Sequence, residues 1–526
     1  MSVHPARSAR RSFLAGAAAL AACPVAGAFG ALQARFACAH TPAAAAASAL
    51  VASPYGPIAP VEDETTGLPL VRLPRGFSYR SYGWTGDPMS DGQRTPGNHD
   101  GMGVIASQRA GASGGELVIV RNHERSMSTR PISAPSAPYD GAAAPDGTAA
   151  PGGGTTTLIW RDGNWISSLP SLSGTLANCA GGVTPWGTWL SCEEVLTDRS
   201  GVVGSNGARG RRHGYVFEVP ADARQTSAQP IVGMGRFFHE AAAVDPATGH
   251  VYLTEDGPRV SGFYRFEPKV TRGAHGSLLE GGVLRMARLR GVRDQAALLA
   301  PSLGDRYTLD WVTLDNPDAE PVTLAAGTLP FIGAVTVSGC FNEGYGKGGA
   351  RMSRGEGICC WNRRMYIVDT AAGRASADGV PGDGKGCVWQ LDLDSQTLTC
   401  ICAVPPGAAN IGNNFDNITV SPKGGLLICE DGGAFQHNGQ SVGVRLMGVA
   451  SGGATFAFAQ NNLVPDVLAR AHALGKEIRG MPTPGSQIGG EFAGACFDPA
   501  GRVLFVNMYS IGATLAITGP FAAGPL

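Results

Sequence analysis

The sequence predicts an all-β fold, and the architecture that it favours is a six-bladed β-propeller with long loop insertions. Two observations support this prediction. Glycine (76 residues) and proline (36 residues) separate many short apolar segments, which is typical of short strands joined by tight turns. In addition, one unit recurs six times: an apolar strand, a tight turn, a second apolar strand and a polar, mostly acidic end. Such recurrence indicates radially repeated blades, and the spacing between copies exceeds the roughly 40 residues of a compact blade.

The six copies differ in how closely they match. Five match well, and the copy nearest the N-terminus is looser. Sustained helical periodicity is scarce, with PDVLARAHAL (465–474) as one short exception. In chain order, the copies are GMGVIASQRAGASGGELVIVRNHE (101–124), NCAGGVTPWGTWLSCEE (178–194), AVDPATGHVYLTED (243–256), GICCWNRRMYIVDT (357–370), ITVSPKGGLLICED (418–431) and ACFDPAGRVLFVNM (495–508).

The charge balance excludes one class of partner. Lysine and arginine number 41 against 42 aspartates and glutamates, so the chain has no general basic field that would attract nucleic acid or anionic lipid. We therefore expect no nucleic-acid partner. With 526 residues, the chain is long enough for one large all-β domain, and we expect a monomer.

The N-terminal residues predict export. Arg10 and Arg11 precede the apolar run LAGAAALAAC, which is too short to span a bilayer and resembles a Tat signal. We predict a signal peptide over 1–39, an Ala-rich linker over 40–53 and the folded domain over 54–526. Cleavage after residue 28 or 39 fits the Ala-x-Ala pattern. The expected location is periplasmic or secreted, with the Tat translocase as export partner. A chance arginine pair in a cytoplasmic protein is the alternative.

A possible lipid anchor lies in the same segment. Leu20-Ala21-Ala22-Cys23 resembles a lipoprotein box, but Pro24 directly after the cysteine argues against lipidation. We expect no stable membrane association unless Cys23 is lipidated.

Acidic side chains and one thiol recur at one register of the hairpins. Strand starts and return-strand ends share one end of an antiparallel hairpin, so both sets are predicted to converge at one mouth of the ring. Before the turns stand Asp100, Cys179, Glu240, Glu356, Asp416 and Glu491, four of them six residues ahead of the turn residue. The return strands end in Glu124, Glu193-Glu194, Glu255-Asp256, Asp369, Glu430-Asp431 and Asn507.

The chemistry of this set predicts bound metal. Any single acid is more simply a turn residue whose oxygens accept backbone hydrogen bonds. About ten carboxylates around one channel, however, repel strongly at low dielectric unless cations compensate them. Oxygen ligands favour calcium, and one thiolate among them adds a softer ligand suited to iron or zinc. We therefore predict that Cys179 meets Glu193 and Glu194 to hold metal.

Arg354 interrupts the acidic pattern. It stands two residues before Glu356, so on an extended chain both side chains point the same way. Such a cation either forms an ion pair with the acids or binds an anionic substrate, and the planar fork of arginine suits phosphate. The spacing alone leaves both interpretations open.

These segments together resemble the PhoX alkaline phosphatase family, and the Cys-x-Gly-Gly-x-Thr-Pro-Trp-Gly-Thr-Trp run is a specific part of the match. The resemblance extends over about residues 54 to 521. The matching segments are YGPIAPVEDETTGLPLVRLPRGFSYRSYGWTGDPMSDG, VRNHE, NCAGGVTPWGTWLSCEE, GRFFHEAAAVDPATGHVYLTED, SRGEG, FDNITVSPKGGLLICEDG and GGEFAGACFDPAGRVLFVNMYSIGATLAITGPF.

The resemblance implies a metal-dependent phosphomonoesterase that hydrolyses small phosphate esters at a centre of Fe3+ and Ca2+ ions. It implies that Cys179 ligates iron and that Arg354 binds the phosphoryl oxygens beside Glu356, which is expected to act in catalysis and to ligate metal. This chain has Arg354-Gly355-Glu356 where the family often has Arg-Pro-Glu, which leaves the role of the arginine open. The further candidate ligands of iron or calcium are Glu124, Glu194, Glu240, Asp416 and Glu491.

Two alternatives remain at this stage. Calcium-dependent propeller hydrolases of the lactonase type need no cysteine ligand, and a non-catalytic propeller stabilised by calcium needs no phosphate clamp. Cys179 and Arg354 favour the phosphatase over both.

Overall fold

Antiparallel β-strands are the main regular secondary structure of the protein. A computed structural model describes residues 48–108, 115–144, 146–478 and 485–526. Within these residues there are two α-helices, α1 (Gly339–Gly346) and α2 (Pro465–Ala473), and neither they nor any other described helix is long and apolar enough to cross a membrane. The all-β class predicted from the sequence is confirmed.

The strands contain two to twelve residues each, and the segments that connect them range from tight turns to long loops. The first twelve are β1 (Ile58–Val61), β2 (Val71–Pro74), β3 (Ser78–Tyr82), β4 (His99–Gln108), β5 (Glu116–His123), β6 (Met127–Ser128), β7 (Ala150–Pro151), β8 (Gly153–Arg161), β9 (Asn164–Thr175), β10 (Asn178–Val183), β11 (Trp189–Glu193) and β12 (Val216–Val219). The next eleven are β13 (His239–Val244), β14 (Val251–Glu255), β15 (Phe263–Pro268), β16 (Gly282–Leu289), β17 (Arg306–Thr313), β18 (Val322–Leu324), β19 (Val335–Val337), β20 (Gly355–Trp361), β21 (Arg364–Asp369), β22 (Cys387–Asp392) and β23 (Thr397–Ala403). The remaining nine are β24 (Phe415–Val420), β25 (Leu426–Glu430), β26 (Phe435–His437), β27 (Gln440–Val442), β28 (Arg445–Val449), β29 (Thr455–Asn461), β30 (Phe492–Phe497), β31 (Val503–Met508) and β32 (Ala513–Thr518).

Five larger sheets contain the six predicted hairpins. The sheets have the strand orders β4-β5-β8-β9, β10-β11-β12, β1-β2-β29-β28-β25-β24 and β3-β32-β31-β30, and the largest runs from β13 through β17 and then from β23 back to β20. In this largest sheet, pairing of β17 with β23 joins two hairpin-containing groups edge to edge. Each hairpin supplies one edge strand of its sheet, and that strand is the first of the pair in sequence.

These six first strands form a closed circle. β4 contacts β10, β10 contacts β13, β13 contacts β20, β20 contacts β24, β24 contacts β30, and β30 returns to β4. Glycines permit this close approach: a Cβ on Gly101 would lie 2.4 Å from Cα of Ala180, and one on Gly357 would lie 2.6 Å from the backbone nitrogen of Ile418. The sheets therefore adopt a propeller-like arrangement around a central channel.

Apolar side chains fill the spaces between neighbouring sheets. Tyr366 and Val388 of one sheet pack with Ile428 and Met447 of the next, and all four are fully buried. Similar clusters lie between the other sheets. Face-to-face packing of this kind removes the apolar faces of the strands from water and holds the circle of first strands in place.

Both ends of the described chain enter the same sheets. β2 pairs with β29, and β3 pairs with β32, so two sheets combine N-terminal and C-terminal strands. Val51 and Ala49 also hydrogen-bond to Thr455 at 2.8 Å, so the last residues of the predicted linker pack against the fold. The predicted signal peptide, its cleavage sites and Cys23 lie outside the described residues.

Candidate active site

All six hairpins share one register next to the channel. In the β10–β11 hairpin, Asn178 pairs with Glu193 and the register then shifts before Gly181, so that Cys179 lies in a β-bulge. Bulges re-aim a side chain out of the regular alternation, and here they do so at the start of each inner strand. The residues at this position are Asp100, Cys179, Glu240, Glu356 and Asp416; their counterpart in the β30–β31 hairpin is Ala493, which still pairs with Asn507 just before the register shift.

The return strands reach the same place. Their positions are fixed by one backbone hydrogen bond that recurs in each hairpin, as between the Glu194 nitrogen and the Ala177 oxygen at 2.8 Å. The residues in this position are Glu124, Glu194, Asp256, Thr370, Asp431 and Tyr509. The hairpin of β30 and β31, which has Ala493 at the corresponding position, supplies its acid two residues earlier as Glu491. This explains why Glu491 stands eight residues before its turn proline rather than six.

The acids that come one residue before these positions stabilise the fold instead. Glu193 accepts hydrogen bonds from Nδ1 of His213 at 2.6 Å and from the backbone nitrogen of Leu176 at 2.9 Å. The prediction that both Glu193 and Glu194 meet Cys179 therefore holds only for Glu194. The other acids of this kind are Glu255, bound by Tyr264 and Ser338, Asp369, bound by the backbone of Ser353, and Glu430, bound by Arg445.

Within the described part of the chain, two groups of possible ligand atoms converge in the channel. One atom each from Cys179, Glu194 and Glu240 lie within 4.8 Å of one another, and the same holds for Glu240, Glu356 and Asp416. Glu240 therefore belongs to both groups. Its two carboxylate oxygens are buried and have no hydrogen-bond partner among the described residues. A buried carboxylate without partners is costly, and this donor set of one thiol and several carboxylates fits metal ions.

The raised pKa values of these groups show that their charged forms are unfavourable without a nearby cation. Burial raises the pKa of Glu240 well above its usual range, and the nearby Glu356 and Glu194 raise it further. Burial and Asp431 raise the pKa of Asp416 to about 8. The pKa of the Cys179 thiol is likewise raised, by burial and then by the neighbouring acids. Bound cations would reverse these shifts, because they favour the charged forms.

The structure adds three acids to those predicted as ligands. After burial, Asp100 contributes to the raised pKa of Cys179, Asp256 to that of Glu194 and Asp431 to that of Glu491, so each acid lies beside a predicted ligand. A sequence signal for Asp256 and Asp431 was present, since each directly follows an acid whose hydrogen bonds stabilise the fold. We call the nine carboxylates at the channel the acid ring: Asp100, Glu124, Glu194, Glu240, Asp256, Glu356, Asp416, Asp431 and Glu491.

Arg354 lies within the acid ring and is paired there. Its Nη2 is 2.8 Å from Oε1 of Glu356 and 3.1 Å from Oδ2 of Asp256, while its Nε also donates to Asp256. The backbone of Arg354 lies in the left-handed region (φ 62°) and is not extended as the sequence spacing suggested. Glu356, and after it Asp256, hold the pKa of the guanidinium above its usual range. About a third of the side chain remains exposed (31%), so the cation also faces solvent.

Comparison with known proteins identifies the family. A family model described as alkaline phosphatase PhoX matches residues 53–171 and 166–512. The chain belongs to the PhoX alkaline phosphatase family. This confirms the resemblance seen in the sequence, and it makes the protein a phosphatase that hydrolyses phosphoric monoesters, in preference to the lactonase and non-catalytic alternatives.

Solved structures support the fold. The chain is similar to Pseudomonas fluorescens PhoX in complex with vanadate, a transition state analogue, with a TM-score of 0.58 and 17% identity over 89% of this chain and 98% of that one. A gluconolactonase from Xanthomonas campestris matches at 14% identity over 88% of this chain and 98% of its own, with a TM-score of 0.33, which is too low to carry an argument. No curated protein sequence matches this chain.

Proposed function

We propose that this phosphatase works at a mixed centre of Fe3+ and Ca2+ held in the channel of a six-bladed propeller. The observation that carries the proposal is the convergence of the Cys179 thiol with the unpartnered, buried carboxylate of Glu240. The closed circle of six inner strands and the register common to the six hairpins support six blades.

The chemistry of the ligand atoms indicates which residues suit iron and which suit calcium. Cys179, with Glu194 and Glu240, offers the softer set that suits iron, and Glu356 and Asp416 offer oxygen donors that suit calcium. The remaining predicted ligands, Glu124 and Glu491, are joined in the acid ring by Asp100, Asp256 and Asp431. When bound, such ions would neutralise phosphoryl charge and provide a nucleophile at moderate pH.

The side chains of the protein position the substrate. Arg354 offers a planar fork to the phosphoryl oxygens, which pairs charge with charge and fixes their orientation. Asp256 accepts hydrogen bonds from the guanidinium and so sets its direction, while Glu356 lies 2.8 Å from it and its carboxylate also belongs to the converging ligand group. Glu356 thus couples the phosphate clamp to the proposed metal centre. Asp256, the second partner of Arg354, lies where an incoming phosphoryl group would compete for the same cation.

Metal analysis of the purified protein tests this proposal. We expect iron and calcium together in the wild type, and the loss of both metal binding and phosphatase activity in Glu240→Gln. The matched control is Glu343→Gln, because Glu343 is a partly exposed acid that binds Lys347. Calcium without iron in active wild-type protein, or full metal content in Glu240→Gln, would contradict the proposed centre.

We also propose that the protein is exported by the Tat translocase to the periplasm or beyond and acts there as a monomer on small phosphate monoesters. The twin arginines at positions 10 and 11 support the export route. Replacing both by lysine should keep the phosphatase activity in the cytoplasmic fraction. Unchanged export of that variant would argue against the Tat route.

A further inference from the structure

A cavity of about 590 Å3 lies beside the acid ring. Asn98 and Tyr509 both line it, and both connect it to the ring. The side-chain amide of Asn98 donates to the Tyr509 hydroxyl at 2.6 Å, and that hydroxyl donates to the carboxylate of Glu124. Asn98 and Tyr509 therefore lie between the cavity and Glu124 of the acid ring.

The size of the cavity exceeds what a phosphoryl group needs. Pockets of roughly 300–1,000 Å3 accommodate whole small molecules. The phosphoryl group itself has its charge partners in the channel, where Arg354 lies. The space beside the ring is thus available to the rest of a substrate, which is the group that leaves when the ester is cleaved.

The charge lining the cavity is positive. Among the residues that the structure describes, Arg94, Arg125 and Arg130 line it against one acid, Glu477. Arg125 is held in place by the backbone oxygens of Gly152 at 3.1 Å and Arg130 at 3.0 Å. The guanidinium of Arg130 is 3.6 Å from Glu477 and largely exposed, so their pairing is weak.

Two hydroxyl groups in the lining lack partners. The Thr95 and Ser510 oxygens are buried and make no hydrogen bond within the described part of the chain. Buried hydroxyls normally find a partner, so these two are available to polar atoms of a ligand. Together with the arginines, they give the cavity the groups that recognise a polar, negatively charged molecule.

We propose that this cavity binds the leaving group of the phosphomonoester and favours leaving groups that carry a second anion, either a carboxylate or another phosphate. The proposal rests on the phosphatase function and does not depend on which metals the centre holds. Arg94 and Arg130 supply the attraction, while Arg125 and the hydroxyls fix the orientation of the bound group.

A matched pair of substrates tests the proposal. The pair is 4-carboxyphenyl phosphate and its uncharged counterpart 4-carbamoylphenyl phosphate, and the measured quantity is the ratio of their kcat/KM values. In Arg94→Gln/Arg130→Gln, we expect the ratio of charged to uncharged substrate to fall roughly ten-fold, mainly through KM for the charged ester. The control is Arg290→Gln, since Arg290 is also an exposed arginine paired with an acid, Asp310, and does not line the cavity. The control should keep the wild-type ratio.

A second measurement needs no variant. Raising the salt concentration should lower the wild-type ratio, because exposed charges are screened, and should change the ratio of the double variant much less. A ratio that is the same in the wild type and the double variant, or an equal loss of activity toward both esters, would overturn the cavity assignment while leaving the phosphatase function intact. Failure of the wild type to hydrolyse either ester would overturn the phosphatase function itself.

Discussion

The guanidinium of Arg354 lies 2.8 Å from the carboxylate of Glu356, two residues further along the chain. Arg354 and Glu491 occupy the same position in their respective hairpins, one residue before the first strand pair. One hairpin therefore presents a cation where another presents an acid. Because the cation is paired but still about a third exposed, it can neutralise the neighbouring acids and also meet an anion that enters from solvent.

Replacing Arg354 with lysine separates the two roles. Lysine keeps the charge but loses the fork, so a phosphate clamp predicts a fall in kcat/KM of roughly ten- to a thousand-fold, about 1.4 to 4 kcal/mol, with metal content near wild type. Inorganic phosphate should also inhibit the variant more weakly. Arg363→Lys is the matched control, because Arg363 is similarly exposed and also pairs with two acids, Asp245 and Asp394. Near-normal turnover and phosphate inhibition in Arg354→Lys would leave charge compensation as its only role.

Replacing Cys179 with serine tests the thiol as an iron ligand. A hydroxyl is a poor ferric ligand unless it is deprotonated, so Cys179→Ser should lose iron and phosphatase activity while keeping most of the fold. Metal content, turnover and the circular dichroism spectrum are the measurements. Cys360→Ser is the control, since Cys360 is a partly buried cysteine that belongs to neither group of converging ligand atoms. Wild-type iron content in Cys179→Ser would show that the ligand assignment is wrong.

Metal removal should show how much the uncompensated acid ring destabilises the folded protein. We expect prolonged EGTA treatment to abolish activity and lower the melting temperature. In the metal-free protein, Asp416 has its pKa raised from 3.8 to about 8. A raised carboxyl pKa stabilises the folded state at low pH, and this contribution is lost as the pH rises through the folded pKa. The melting temperature of the metal-free protein should therefore fall between about pH 4 and pH 8.

Replacing Asp416 with asparagine should change the melting temperature in opposite directions in the metal-free and metal-loaded proteins. Asp416→Asn should raise the melting temperature of the metal-free protein at pH 8, because it removes a buried charge, and should lower that of the metal-loaded protein. Asp498→Asn is the contrast: Asp498 is buried but accepts backbone hydrogen bonds, including one from Val503 at 2.7 Å, so its loss should destabilise both forms. Equal effects of Asp416→Asn on both forms would argue against metal binding at this acid.

A buried histidine should make the folded protein sensitive to alkaline pH. His213 lies between Glu193 at 2.6 Å and Asp140 at 3.3 Å. Burial lowers its pKa, but the two acids outweigh burial and raise the pKa to about 9. The charged network therefore contributes its full stability below about pH 6.5, the ordinary histidine pKa, and loses it as the pH rises through about 9.

The loss at alkaline pH amounts to on the order of 3 kcal/mol. Denaturant unfolding of the metal-loaded protein from pH 7 to pH 10 should show it, and His213→Gln should flatten the pH dependence while lowering stability at pH 7. His472→Gln, on the exposed side of α2, should behave as the wild type does. A pH dependence that persists unchanged in His213→Gln would place the titrating group elsewhere.

The sequence allowed the register of the site to be predicted but not the direction of every side chain. Cys179, Glu240, Glu356 and Asp416 share one spacing to their turns, and that spacing corresponds to one position in the folded hairpins. Adjacent acids such as Glu193 and Glu194 could not be told apart, because which of them faces the channel depends on where strand pairing ends: Glu193 is the last paired residue, and Glu194 follows it with a backbone hydrogen bond to Ala177. The number of residues in a bulge depends on tertiary packing, and the periodicity of a strand sequence does not indicate it.

Other features depend on contacts between distant segments. The cavity joins residues near Arg94 and Arg125 with Tyr509, and no local pattern indicates that these segments meet. Likewise, the partner of Arg354 on a neighbouring hairpin, Asp256, is almost a hundred residues away. Pattern and spacing predict elements and their ends, whereas side-chain pairs between blades are settled by how the sheets pack.

The pairing of β3 with β32 has a consequence for how the protein is made. Strand β3 leaves the ribosome early, yet it can find its place only after β32, near the C-terminus, has been synthesised. The same delay applies to β2, which pairs with β29. Glu491 lies just before β30, in the sheet that β3 helps to complete. A chain that stops short of this sheet cannot close the circle, so ribosomal truncation products should be open, protease-sensitive chains rather than smaller working enzymes.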